Sequence, residues 1–286
     1  MKINRLFIVV LSLLAAANVH AEDAFEYQVT PVKDGITMLH GAGGNIAVLE
    51  SERGLLVVDN GFKFNGEALD AALNEINPNT QFVLNTHWHG DHTGANAHLG
   101  GEATIMAHTN VRVRMAQGSE AFNIAPATGD ALPLVTYEDG VALHFGDQLV
   151  RAMHLPSGHT DGDTVVYFEN ANVFHTGDLM FADKFPFIDK ASGGNVDGYI
   201  NNVQAIIDMV DADTVVIPGH GPLSKVDDIK RFKSMIETTR EEVAVLKERG
   251  LTLEQAQAEG LDAKWASWGD FFIKEDRWIA TLWDDA

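Results

Sequence analysis

One short segment constrains this chain more than any other. The sequence THWHGDH at residues 86–92 places four potential metal ligands within six residues, directly after an apolar, strand-like run. Side chains alternate along an extended strand end, so His87 and His89 point to the same side and can bind one metal together. Asp91 and His92 lie beyond the glycine turn and are free to bind a second ion. The segment therefore predicts a metal site that the rest of the fold has to complete.

The missing ligands must come from later in the chain, because zinc normally takes four ligands and a catalytic site leaves one position for water. Three candidates stand in glycine-marked turns directly after β-type runs: His159 in PSGHT, Asp178 in HTGD and His220 in PGHG. Each offers a donor on a turn that can approach a metal closely. We therefore predict two sites bridged by Asp178, with His87, His89 and His159 in the first and Asp91, His92 and His220 in the second.

Strand-like and helix-like stretches alternate in two similar cycles, and no linker or low-complexity segment separates them. This order predicts an α/β (α+β) fold, a four-layer αββα sandwich in which two sheets pack face to face with helices outside. We expect one domain over residues 22–286 with a C-terminal helical extension. The tryptophan-bearing tail is predicted to be an amphipathic helix packed on the body, with a partner-binding stripe as the alternative. The main helices are predicted at 66–76, 109–117, 196–210, 226–248 and 253–259.

The first 21 residues have the pattern of a cleaved secretory signal. Lys2 and Arg5 precede an apolar run over 6–17, and the small-residue pattern VHA follows at 19–21. The alternative is a membrane anchor, but the run of about 12 residues is shorter than the roughly 20 that a bilayer-spanning helix requires. We therefore expect a periplasmic or secreted protein that begins at Glu22, without stable membrane insertion.

Composition excludes several classes of function. The formal net charge of −21 makes nucleic acid a poor partner, so a small-molecule substrate is expected. The chain has no cysteine, which excludes a thiolate zinc ligand, a cysteine nucleophile and iron–sulfur chemistry. Nothing in the sequence predicts the oligomeric state.

The four ligand motifs together resemble the metallo-β-lactamase superfamily, and the resemblance extends from about Ile36 to Leu223. It implies the αββα sandwich, with two zinc ions at one edge of the sheets. A water shared by two zinc ions loses a proton near neutral pH, which gives a hydroxide that attacks a carbonyl. Asp91 is expected to help move the proton. The resemblance also gives Asp59 the role of orienting a ligand histidine, with an ordinary turn aspartate as the alternative.

Several positions bear on which branch of the superfamily the chain resembles. Where redox di-iron branches have glutamate, this chain has His89, which favours zinc. One major β-lactamase branch has cysteine where Asp178 stands, so the aspartate is more similar to the wider group that includes thioesterases and lactonases. Asn195 resembles an asparagine that stabilises a developing oxyanion, although it is equally placed to cap a helix. The position of a substrate-binding lysine is occupied by Phe181, with Lys184 and Lys190 nearby.

Three functions follow as hypotheses. The first is an exported zinc hydrolase of carbonyl compounds, with a β-lactam-type cyclic amide as the leading substrate. The second is a lactonase or thioesterase, and the third is a di-iron redox protein or a metal-binding protein without turnover. The remaining histidines of the mature chain are assigned structural roles; they are His40, His98, His108, His144, His154 and His175.

Overall fold

A computed structural model describes residues 25–285, and the predicted signal at 1–21 lies outside them. The described chain forms one seven-stranded sheet and one six-stranded sheet. The first sheet contains β1 (Gln28–Lys33), β2 (Ile36–His40), β3 (Ile46–Ser51), β4 (Gly54–Val58), β5 (Thr80–Asn85), β6 (Thr104–His108) and β7 (Val135–Tyr137). The second contains β8 (Gly140–Phe145), β9 (Gln148–His154), β10 (Thr164–Phe168), β11 (Val173–His175), β12 (Val215–Ile217) and β13 (Ser224–Lys225).

Each sheet has antiparallel and parallel parts. Strands β1 to β4 form an antiparallel meander, and β4 to β7 then pair in parallel. In the second sheet only β11 and β12 pair in parallel. Parallel neighbours need a crossover connection, and helices supply most of these. The helices are α1 (Gly66–Ile76), α2 (Gly90–Thr93), α3 (Asn96–Leu99), α4 (Thr109–Gln117), α5 (Val196–Met209), α6 (Val226–Glu248), α7 (Leu253–Glu259) and α8 (Glu275–Trp283).

The period-two alternation of strand side chains divides the core into layers. In β3, Ala47 and Leu49 pack between the two sheets, whereas Ile46 and Val48 face the opposite way. The layer between the sheets also receives Phe168 from the second sheet. Both faces of β3 are therefore buried, which explains its continuous apolar sequence.

Helices cover the two outer faces. On the first sheet, Leu69 and Leu73 of α1 pack against the outward side chains of β3 and β4. On the second sheet, Tyr199 of α5, Phe232 of α6 and Trp278 of α8 belong to one buried cluster. The order of layers is helix, sheet, sheet, helix, which confirms the predicted αββα sandwich.

The C-terminal tail packs on the body, as its amphipathic pattern predicts. Trp268 and Trp278 are buried, and Trp265 and Trp283 are partly buried against the same cluster. Among residues 25–285, no helix has both the length and the apolar character needed to cross a bilayer.

The prediction was wrong in two small regions. The polar, glycine-bearing segment predicted over residues 85–94 contains the one-turn helix α2, and the one-turn helix α3 that follows it was not predicted. The first of these forms because the backbone N–H groups of His92 and Thr93 both donate to the carbonyl of His89. The two-residue strand β13 was not predicted, since two residues carry no periodic signal.

Candidate metal centre

The histidine segment is fixed at the point where β5 ends. The backbone N–H of Thr86 donates to Asp59 Oδ1 at 2.8 Å, and the Thr86 carbonyl accepts from the Thr164 N–H of the second sheet at 2.8 Å. The chain then turns through His87 and His89 into α2, where Asp91 lies in the first turn. The segment is thus held between both sheets.

The three downstream ligands are held on turns of the second sheet. After β9, the Asp163 carboxylate accepts from the His159 backbone N–H at 2.7 Å and closes the turn. After β11, Gly177 adopts a φ of 51°, a left-handed conformation that places Asp178 toward the neighbouring turn. His220 follows β12, and there is no room for a side chain at Gly219, where a Cβ would lie 2.1 Å from Asp178 Oδ1.

The seven predicted ligands come together in two groups. His87, His89, His159 and Asp178 form one buried group, and Asp91, His92 and His220 form the other; within each group all ligand atoms lie within 4.8 Å of one another.

Asp178 connects the two groups. Its Oδ2 lies 3.7 Å from His87 Nε2 and 3.5 Å from His159 Nε2. Its Oδ1 lies 3.1 Å from His92 Nε2 and 3.4 Å from His220 Nε2. One carboxylate therefore faces both sets of imidazoles, which is the arrangement of a bridging ligand.

The donor atoms fit metal ions better than they fit one another. His87 Nε2 and Asp178 Oδ1 are buried and make no hydrogen bond. Nitrogen atoms of two imidazoles face each other at 3.4 Å between His92 and His220. Buried polar atoms normally have partners, so unpaired donor atoms in such a cluster fit a role as metal ligands. Imidazole and carboxylate donors suit zinc, and they also accept manganese or iron.

The charges of the two groups differ. Burial and the neighbouring His92 ring hold the pKa of His87 well below its usual value, and burial lowers the pKa of His159 to about 4. Burial also opposes protonation of His220, but the carboxylates of Asp178 and Asp91 outweigh it and raise its pKa to about 9. The imidazoles of His87 and His159 are therefore neutral and ready to bind metal, whereas His220 has to lose a proton first.

Comparison with known proteins agrees with this geometry. The family model described as "Metallo-beta-lactamase superfamily" matches residues 41–220, which contain all seven ligands. The chain belongs to the metallo-β-lactamase superfamily. The fold is shared with solved members: the crystal structure of the DIM-1 metallo-β-lactamase aligns with a TM-score of 0.62 at 20% identity, over 75% of this chain and 98% of that one.

Curated relatives in the superfamily have different activities. A metallo-β-lactamase type 2 from Bacillus cereus is 25% identical over 183 residues, covering 62% of this chain and 66% of the relative. A hydroxyacylglutathione hydrolase from Methylococcus capsulatus is 31% identical over 104 residues, covering 35% of this chain and 34% of the relative. The matches thus span about two thirds and one third of the relatives' lengths.

Three of the candidate ligand histidines are held by a partner on the side of the ring away from the other ligands. Asp59 Oδ2 lies 2.7 Å from His92 Nδ1, in agreement with the predicted orienting role of Asp59. Asp189 Oδ2 lies 3.0 Å from His89 Nε2, and the Phe187 carbonyl accepts from His159 Nδ1 at 2.7 Å. Such partners fix the ring orientation and the nitrogen that faces the metal. Asp189 has no motif of its own and its partner is 100 positions away, so its role is not visible in the sequence.

The side-chain amide of Asn195 makes its hydrogen bonds to the backbone and not to a candidate metal ligand. Its side-chain oxygen accepts from the Gly198 N–H at 2.7 Å and caps α5, and its amide nitrogen donates to the Ser157 carbonyl at 2.9 Å. Both the oxygen and the nitrogen of the Asn195 side-chain amide are therefore hydrogen-bonded to the backbone. The catalytic assignment of Asn195 is corrected to the alternative, a helix cap, because the hydrogen bond to Gly198 satisfies an otherwise unpaired backbone donor.

Aromatic side chains line the walls around the ligands. The Phe181 ring stacks on His220 with centroids 4.9 Å apart, and Phe122 lies 5.5 Å from the His89 ring. Phe271, from the C-terminal extension, lies 5.4 Å from the His220 ring. Lys190, an alternative for the substrate-binding lysine, is instead paired with Asp285 at 2.7 Å.

The other histidines are outside both ligand groups. His108 and His154 stack on each other at 3.8 Å, His98 lies 3.7 Å from Asp70, and His144 is exposed. His175 is buried and supports the Asp178 turn, because the Gly177 N–H donates to its Nδ1 at 3.1 Å.

Proposed function

We propose that this superfamily member is an exported dinuclear zinc hydrolase that attacks a carbonyl substrate. The observation that supports this most strongly is the position of Asp178, one carboxylate facing both imidazole groups at 3.1–3.7 Å. A bridged pair of cations is typical of hydrolytic metal centres. Two bound zinc ions would supply a deprotonated water near neutral pH and polarise the carbonyl.

The protein's own residues have distinct tasks in this reaction. Burial would raise the pKa of Asp91, but the His92 and His220 rings outweigh it and lower that pKa to about 2. Asp91 is therefore ionised, as a carboxylate that holds a metal must be, and we expect it to orient the attacking water and help move its proton. The aromatic walls formed by Phe122 and Phe181 exclude bulk water and provide an apolar surface for the acyl part of a substrate.

A β-lactam-type cyclic amide is the leading substrate. The match to the Bacillus cereus metallo-β-lactamase covers 62% of this chain, and an exported enzyme would meet such compounds outside the cytosol. A lactone or thioester is the second candidate, favoured by the match to a hydroxyacylglutathione hydrolase and by an aspartate at position 178.

The test combines metal analysis with a substrate panel. We expect purified protein to hold two zinc ions per chain and to hydrolyse a chromogenic cephalosporin faster than a lactone and a thioester of similar size. His89→Ala should reduce turnover at least about 100-fold, because it removes a ligand at the reacting centre. His144→Ala is the matched control, since this histidine is exposed and outside both ligand groups.

Three results would redirect the proposal. Iron at two ions per chain would favour a redox protein, and two zinc ions without any hydrolysis would favour a binding protein. Faster turnover of the lactone or thioester would select the second candidate. Export is tested separately by fractionation, with the mature protein expected to begin at Glu22.

A further inference from the structure

The C-terminal extension brings a cation to the mouth of the metal centre. The family match ends at residue 220, yet the loop before α8 places Phe271 against the ring of His220. The next residue is Phe272, and its ring centroid lies 5.8 Å from that of Phe187. The Phe187 carbonyl accepts the hydrogen bond from His159 Nδ1. Arg277 lies beside the rings of Phe187 and Phe272. Residues outside the family match therefore form part of the wall around the ligands.

The guanidinium of Arg277 is held by aromatic rings alone. Its central carbon lies 4.9 Å from the Phe187 centroid and 4.9 Å from the Phe272 centroid, and the two rings are almost perpendicular at 88°. A cation against aromatic faces is stabilised by the ring quadrupoles without using its N–H donors. The two perpendicular rings thus position the guanidinium while its five N–H donors remain unpaired with any described residue.

Arg277 is an exception among the arginines of residues 25–285. Each of the other seven has a carboxylate or carbonyl partner, but the guanidinium of Arg277 makes no ion pair or hydrogen bond with a described residue. In a chain with 41 acidic residues and only 20 lysines and arginines, an arginine without an acidic partner is unexpected. Its place in the first turn of α8 is also unfavourable for a cation, because the helix dipole is positive there.

One aromatic ring separates this cation from the metal ligands. The Phe187 ring lies 5.7 Å from the His89 ring and 5.9 Å from the His159 ring, and Arg277 rests on the same ring. A substrate whose carbonyl is bound at the metals would extend across the Phe187 ring. A group a few bonds away from that carbonyl would then reach the Arg277 guanidinium. Arginine matches a carboxylate best, because its planar fork forms two parallel hydrogen bonds.

We propose that Arg277 recognises the carboxylate of the substrate, so that the preferred substrates are carbonyl compounds that carry a carboxylate beside the bond to be hydrolysed. This assignment deepens the proposed hydrolase function and rests on it. Of the two lysines near Phe181, Lys190 is already paired with Asp285. Arg277 is a specificity residue and takes no part in bond cleavage.

The test uses substrate pairs that differ only in the carboxylate. Zinc-loaded enzyme is assayed with a chromogenic cephalosporin and its methyl ester, and with matched thioesters of 3-mercaptopropionate and 3-mercaptopropionamide. We expect Arg277→Met to raise KM about tenfold for each carboxylate compound, with little change in kcat. The KM of the neutral partners should not change. Arg277→Lys should restore part of the loss. Arg249→Met, an exposed arginine paired with Glu259, is the control.

A binding measurement separates this inference from the proposed reaction. Calorimetric titration with 2-naphthoate and 2-naphthamide needs no turnover, and we expect Arg277→Met to weaken only naphthoate binding, about tenfold. If zinc-loaded wild type hydrolyses neither pair, the proposed function fails while the titration still tests Arg277. The inference is overturned if the variant affects carboxylate and neutral compounds alike, or if Lys184→Met instead gives the selective loss.

Discussion

The carboxylate of Asp59 and the imidazole of His92 form one buried unit, with Oδ2 2.7 Å from Nδ1 and both side chains fully excluded from solvent. The same carboxylate also accepts from the backbone N–H and the hydroxyl of Thr86 at 2.8 Å. Asp59 adopts a φ of 62°, an uncommon conformation for a residue other than glycine. The backbone is therefore strained at the residue that orients His92 and also fixes Thr86, where the segment with His87, His89 and Asp91 begins.

Asp59→Asn is predicted to weaken metal binding by the group of Asp91, His92 and His220 about 10- to 100-fold, because the amide no longer fixes the neutral ring with its Nε2 toward the metal. Competition with a chelator of known affinity measures this change. Asp70→Asn is the control, since Asp70 also lies beside a histidine but on the surface. Equal weakening in both variants would contradict the orienting role.

Gly44→Ala is predicted to displace the His92 ring. A Cβ at residue 44 would lie 2.2 Å from His92 Cε1, and the ring cannot move away without breaking its contact with Asp59. We expect loss of one metal ion per chain and of most activity, measured by metal analysis and by the substrate panel. Gly101→Ala is the matched control, because a Cβ there meets nothing within 4 Å. Full metal content in Gly44→Ala would refute the predicted clash.

Metal binding is predicted to release protons from the second group between pH 7 and 9. His220 has a pKa of about 9 in the metal-free protein and is protonated in this range, whereas a ligand imidazole must be neutral. The affinity of the protein for metal should therefore rise about tenfold per pH unit for each proton released, and level off above pH 9. Calorimetry in buffers of different ionisation enthalpy counts the protons. Affinity that is independent of pH from 7 to 8.5 would disagree with this prediction.

Trp278→Ala is predicted to destabilise the fold by about 3–5 kcal/mol. The side chain is fully buried, stacks on Phe185 at 5.6 Å, and donates from Nε1 to Thr239 Oγ1 at 3.0 Å. The free energy of unfolding from urea titration measures the loss. Val245→Ala is the control, as Val245 is exposed on α6. A loss below about 1 kcal/mol would mean that the extension is not part of the core.

The elements with a strong local pattern were predictable from sequence. The bounds of α1 and α4 agree with the prediction, because their apolar spacing and flanking turns are local signals. The convergence of the seven candidate ligands was also predictable, since each stands in a short motif on a turn after a strand. Asp189 was not, because its contact with His89 exists only after the two sheets have packed. The contact between Arg277 and Phe187 was not predictable either, because the two residues are far apart in the sequence.

The seven ligands are divided between the sheets, four from the loop after β5 and three from the turns after β9, β11 and β12. The chain has no cysteine and so no disulfide. Bound metal would therefore be the cross-link between the two sheets of the sandwich. Any slippage of one sheet over the other would separate Asp178 from His87. A screen for impaired metal retention should therefore recover cavity-forming substitutions such as Phe168→Ala, in the buried layer between the sheets.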